Sequence, residues 1–276
     1  MVLTHAPRAL LFDIFGTCVN WRNTVTRVLN DTVRLRLSDA TASLATSVRI
    51  RASDMTIERW GDFAQEWHNA YYHFTQSVAA KPTATWKSVD EHHHESLRGL
   101  LEKWQLVGLY DDEQIRALSL VWHSLDAWAD SSAGVTELNK YFWTVTLSNG
   151  NTSLLSDLKT HAQIPFTHVF SAEDFGAYKP NQGIYLGAVH KLGLQPKDCA
   201  MVAAHLADLK AAKSCGLQTI YVERPHEEAW TDDQIEAAKK DGFVDLWVAS
   251  DEEGFIAVAE RLGIEVDRTR KRSRST

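Results

Sequence analysis

Apolar residues recur along this chain in short unbroken runs: Ala9 to Phe12, Phe142 to Leu147, His168 to Phe170, Cys199 to Ala203, Thr219 to Val222 and Leu246 to Ala249. Short, predominantly apolar runs of that length suit buried strands. Most are separated by segments of helical periodicity, among them Ser153 to His161, Gly183 to Leu192 and Asp208 to Cys215. The alternation predicts βα units, and so an α/β fold with a parallel sheet between helices. From Trp21 to Ala133 the pattern changes to long amphipathic stretches such as "IERWGDFAQEWHNAYYHF" and "HHHESLRGLLEKW". Seven of the ten tryptophans lie at Trp21 or between Trp60 and Trp128. A helical insertion after the first strand is predicted, and an insertion at a strand end is well placed to cover a site. The expected division is a core from residues 1–20 and 134–267, a cap from 21–133 and a basic, disordered tail from 268–276.

Composition narrows this picture. The chain has 276 residues, 44% of them hydrophobic and 24% charged, as in an ordinary globular protein. A net charge of −7 argues against general nucleic-acid binding, although the closing "DRTRKRSRST" is basic enough for a nuclear-localisation role. Cys18, Cys199 and Cys215 are too few and scattered for a disulfide framework or zinc site, which favours a reducing compartment. No run approaches membrane-spanning length, and no long apolar region follows a basic start. The expectation is a soluble, cytoplasmic protein.

In a doubly wound sheet the site lies beyond the carboxyl ends of the strands. Asp13 ends the first predicted strand, Ser148 and Asn149 end the second, Lys179 lies in the loop after the third, and His205 and Asp208 follow the fourth. Taken singly these are ordinary residues: an aspartate after an apolar run usually caps a helix or a turn, and "NG" is a common turn dipeptide. His92 to His94 do not make a metal cluster, because consecutive helical residues point about 100° apart. They read as a solvated helix surface.

Together, "FDIFGT", "LSNG", "YKP" and "VAAHLADLKAAKSCGL" resemble the four ordered motifs of the haloacid dehalogenase superfamily, in its L-2-haloacid dehalogenase (type II) branch. The resemblance spans nearly the whole chain to about Asp267 and implies a Rossmann-like core with a helical cap after the first strand. It implies that Asp13 attacks the halogen-bearing carbon to form an ester that water then cleaves. Lys179 would keep Asp13 ionised, and Asp208 would help position or activate the water. Thr17, Ser148 and Asn149 would bond Asp13 or the substrate carboxylate, and Tyr185 matches a site tyrosine of the family. The superfamily's phosphatases carry a second aspartate two residues after the nucleophile, where this chain has Phe15. A halide departs without a proton, so an aromatic there suits dehalogenation. The fourth motif offers only Asp208 as a hard oxygen ligand, which favours a site without metal or other cofactor.

Two departures stand out. The family's cap arginine, held to receive the halide, aligns with His68 in "FAQEWHNAY", a residue only fractionally cationic at neutral pH. Arg49, Arg51 and Arg59 are the candidate replacements. In the fourth motif Ala203, His205 and Ala207 stand where the family usually has serine, asparagine and tryptophan, so His205 reads equally as a donor in place of the amide, a base or a satisfied structural histidine. The resulting expectation is a metal-independent hydrolase of small 2-haloacids, compatible with a homodimer. The alternatives are a Mg²⁺-dependent phosphatase of the same fold, or a binding protein whose catalysis has weakened.

Overall fold

The computed structural model describes residues 5–81 and 86–266, so the predicted basic tail lies outside the described residues. Six strands form one sheet: β1 (Ala9–Phe12), β2 (Trp143–Ser148), β3 (His168–Ser171), β4 (Cys199–Ala203), β5 (Gln218–Val222) and β6 (Leu246–Val248). Their order is β3-β2-β1-β4-β5-β6 and every neighbouring pair is parallel. All residues of β1, β4 and β5 are buried, which is why these strands read as continuous apolar runs. After β3 the chain crosses over β1 to begin the other half of the sheet at β4. The strand order therefore reverses beside β1, and a crevice opens at its carboxyl end.

Helices α1 (Trp21–Ser38), α2 (Thr46–Ser53), α3 (Ile57–Ala79), α4 (Val89–Lys103) and α5 (Asp112–Ser119) fill the segment between β1 and β2. The 23-residue α3 buries Trp60, Phe63, Ala64, Trp67, Tyr71 and Thr75, a stripe at helical spacing that packs between α1 and α4. Its start is fixed by Thr56, whose side chain accepts from the Arg59 amide. The chain returns through α6 (Ser131–Leu138) to β2. The sheet is then covered by α7 (Thr152–His161), α8 (Gln182–Lys191), α9 (Leu206–Ser214), α10 (Asp232–Asp241) and α11 (Gly254–Arg261).

The neck between sheet and cap helices is stitched by backbone and side chains. Val19 bridges Ala127 in antiparallel fashion, Asn20 donates to the Asp126 carbonyl, and the Trp128 indole donates to the Gly16 carbonyl. Arg224, arriving after β5, holds Asp130 by two bonds of 2.7 and 2.8 Å and donates to the Thr17 carbonyl at 3.1 Å. A bidentate pair of this kind fixes orientation as well as distance.

One expectation is corrected here. His93 is buried rather than solvated: its ring stacks on Trp122 at 4.4 Å and on Tyr71 at 5.5 Å. His92 stacks on Phe74 at 4.3 Å. The stretch "HHHESL" lies on a helix packed against α3, so its middle histidine turns inward, and apolar periodicity alone does not reveal an inward-facing imidazole.

Candidate active site

Asp13 follows β1 directly, and its amide donates to the Val202 carbonyl at 3.0 Å, which continues the ladder to β4 and fixes the side chain at the crevice. Its Oδ2 accepts from the Thr17 hydroxyl at 2.7 Å and lies 3.2 Å from His205 Nδ1; its Oδ1 lies 3.2 Å from Lys179 Nζ. Burial opposes ionisation of Asp13, but Lys179, His205 and Thr17 outweigh it and hold the carboxyl well below its ordinary value. Lys179 stays cationic for the converse reason: burial disfavours its charge, and Asp208 and Asp13 more than restore it. Its ammonium is 2.7 Å from Asp208 Oδ2, while the Tyr185 hydroxyl donates to Asp208 Oδ1 at 2.5 Å. Burial, with the negative charge of Asp13 close by, leaves Asp208 above its usual value despite Lys179.

The loop from Asp13 into α1 depends on Gly16. Its φ of +78° is one that side-chain-bearing residues avoid, and a Cβ there would come within 2.0 Å of Glu227 Oε2. Thr17 is fully buried and also accepts from the Ala204 amide at 2.9 Å, so it braces the β1 loop against the β4 loop. Asn149 accepts from the Lys179 amide at 2.8 Å. Ser148 stands behind the cavity wall, its hydroxyl accepting from the Gly150 amide at 3.4 Å.

A cavity of about 390 Å³ opens over these groups, bounded by Asp13, Phe15, Lys179, Tyr185, His205 and Asp208 on the sheet side. Trp21, Arg22, His68 and Tyr71 close it from α1 and α3. Phe15 meets the rings of Tyr71 at 5.6 Å and Trp122 at 6.1 Å, making that wall aromatic. A larger groove of about 640 Å³ beside Leu35, Tyr110 and Leu118 is open and mostly apolar, away from the carboxylates. Among the described residues no three His, Cys, Asp or Glu side chains are arranged to hold a metal ion.

His68 corrects a second expectation. Its ring stacks on Trp21 at 4.1 Å, and burial, joined by nearby His205 and Arg22 and only partly offset by Glu227, pulls its pKa down to about 4. It is therefore neutral at pH 7, not fractionally charged. The three candidate arginines are occupied elsewhere: Arg49 and Arg51 donate to the carbonyls of Leu37 and Trp104, and Arg59 lies over the Trp104 ring. The cavity's arginine is Arg22, whose guanidinium lies 4.9 Å from the centre of the Trp21 ring and donates to Gln65.

Glu227 was likewise not among the sequence candidates. It accepts from Trp21 Nε1 at 3.0 Å and lies 3.6 Å from His205 Nε2. The adjacent Glu228 accepts from the Leu206 amide at 2.8 Å and so holds the first turn of α9. "ERPHEEAW" follows β5, so the carboxyl-end rule applied to that strand would have pointed to it.

The parallel sheet, the crevice beside β1 and a buried carboxylate kept ionised by an ammonium define the class, an α/β protein of Rossmann-like architecture with a charged site at the carboxyl end of its first strand. The family model of haloacid dehalogenase-like hydrolases matches residues 7–216, and the chain belongs to that family. The crystal structure of the L-2-haloacid dehalogenase PA0810 is 31% identical in sequence, with a TM-score of 0.76 over 94% of this chain and 99% of that one. That of the defluorinating L-2-haloacid dehalogenase Rha0230 is 27% identical, with a TM-score of 0.75 over 95% and 97%. (S)-2-Haloacid dehalogenase 4A of Burkholderia cepacia is 22% identical over 233 residues, 80% of this chain and 85% of that protein.

Proposed function

We propose that the protein hydrolyses small (S)-2-haloacids to 2-hydroxy acids, without a metal, through a covalent ester on Asp13. The observation that carries this reading is Asp13 itself, a carboxylate held ionised at the floor of a cavity. Oδ2 has two donors and Oδ1 one, so Oδ1 keeps the freer lone pairs and is the attacking oxygen. It forms a bond to C2 of the substrate as the carbon–halogen bond breaks, and the halide leaves with the bonding pair. Water then adds to Cγ of Asp13, the ester C–O bond breaks, and the 2-hydroxy acid departs.

Phe15 supports this reading over phosphate-ester hydrolysis, because it offers no proton to a departing alkoxide. Its contact with Tyr71 and Trp122 gives the attacking oxygen an aromatic wall on that side. The substrate carboxylate and the leaving halide call for a cation, and Arg22 supplies it. Its partner is the amide oxygen of Gln65 rather than a carboxylate, so its charge is available to a bound anion. The core would thus span 1–20 and 134–267, with the cap over 21–133 closing the cavity.

The test is chloride release from L- and D-2-chloropropionate in EDTA by wild type, D13N and R22Q. Release from the L enantiomer, abolished in D13N and showing a raised KM in R22Q, is expected. Turnover that survives D13N, or phosphate-ester hydrolysis that requires Mg²⁺, would overturn the reading.

A further inference from the structure

His205 donates to Asp13 in the alkylation step, and its second ring nitrogen, with Glu227 behind it, has no task there. His205 presents Nδ1 to Asp13 at 3.2 Å and Nε2 to Glu227 at 3.6 Å. Its side chain is 28% exposed, and it lines the cavity, so water reaches it. Glu227 is deeply placed, with a side chain 3% exposed, anchored by the Trp21 indole and seated against a glycine that leaves it room. Asp208, by contrast, has Oδ2 on Lys179 and Oδ1 on Tyr185, which leaves it poorly placed to take a proton from water.

We propose that His205, oriented by Glu227, is the general base that activates water for hydrolysis of the Asp13 ester. This rests on the function proposed above. The 3.6 Å separation is an ion-pair distance, and catalytic hydrogen bonds commonly tighten only when the site is loaded.

The charge balance supports the timing. The groups around His205 are Asp13 after β1, Glu227 after β5, Lys179 after β3, Asp208 on α9, His68 on α3 and Arg22 on α1. In the resting site burial disfavours the imidazolium, but Asp13 and Glu227 push its pKa up to about 10. Esterification removes the charge of Asp13, and His205 releases its proton to solvent, the proton that accompanies the halide. The neutral imidazole then takes a proton from water as the oxygen bonds to Cγ. Collapse of the adduct breaks the ester C–O bond, and the alkoxide takes the remaining hydroxyl proton. Asp13 is again a carboxylate and His205 again an imidazolium, so the cycle closes with R–X and water converted to R–OH, halide and a proton.

The experiment is a single turnover of L-2-chloropropionate with enzyme in excess, following chloride and lactate separately in wild type, H205N and E227Q. H205N keeps a donor to Asp13 but loses the base. Its chloride burst should persist while lactate formation falls roughly 10²–10⁴-fold, with the ester retained on the Asp13 peptide by mass spectrometry. E227Q, nearly isosteric, should slow lactate formation by a smaller factor. Because Glu227 raises the proton affinity of His205, E227Q should also move the acid limb of the lactate step to lower pH, which a merely structural role would not do. Lactate keeping pace with chloride in H205N, or loss of the burst itself, would overturn the dyad alone. A wild type that forms no ester would overturn the proposed function, and the dyad with it.

Discussion

Thr17 shows how one hydroxyl serves two loops. It donates to Asp13 and accepts from Ala204, both inside the protein, where an unmet polar group costs about 1–3 kcal/mol. T17V keeps the shape and leaves both partners short. Its expected cost is about 1–3 kcal/mol, read as a lower Tm. Losing that donor also raises the Asp13 pKa, so the acid limb of chloride release should move to higher pH. Residues of this site were legible where they closely follow an apolar run. Asp13, Asn149, Lys179 and Asp208 each follow a strand in a recognisable motif. Arg22 and Glu227 were not found because their roles depend on where a helix start and a loop after the fifth strand meet in space. His93 was misplaced because a buried imidazole stacked between aromatic rings has no distinct sequence pattern.

At the scale of elements, helices α6 and α11 pack on each other at Gly134. A Cβ there would come within 2.4 Å of the Phe255 Cβ and 2.7 Å of its backbone carbonyl carbon. Since backbone must move rather than a flexible side chain, G134A should destabilise by about 1–3 kcal/mol, visible in a urea or thermal melt with little change in chloride release per folded enzyme. The strands could be placed from sequence because a parallel sheet covered on both faces buries nearly every strand position, which keeps charged residues out of the runs; even the polar residues of β2, Thr144, Thr146 and Ser148, are buried. Their ends moved by a residue: β2 begins at Trp143 rather than Phe142, and β6 stops at Val248 rather than Ala249. Helix α9 begins at Leu206, two residues before the periodic stretch that predicts it, because Glu228 from a distant loop accepts its first amide proton. Periodicity registers side chains that face a core; it does not register a cap supplied from elsewhere in the chain.

At the scale of the molecule, His123 ties the helices between β1 and β2 to those that cover the sheet. Its Nε2 lies 3.0 Å from Asp90 on α4 and its Nδ1 2.8 Å from Asp157 on α7. Burial disfavours its charge, but the two carboxylates outweigh burial and raise its pKa above the ordinary value. A raised pKa stabilises the fold fully below the unfolded value of ~6.5, and that contribution is lost as pH rises through the folded value. The Tm advantage of wild type over H123Q should therefore be greatest below pH ~6.5 and shrink at higher pH; an advantage that grows with pH would contradict the pairing. The neck described earlier has a different consequence. Because Val19 and Ala127 pair side by side, a few residues of linker can join them without displacing β1 or α6. The segment between them therefore leaves and re-enters the sheet-bearing part of the chain side by side, and a displacement of one crossing is shared by the other.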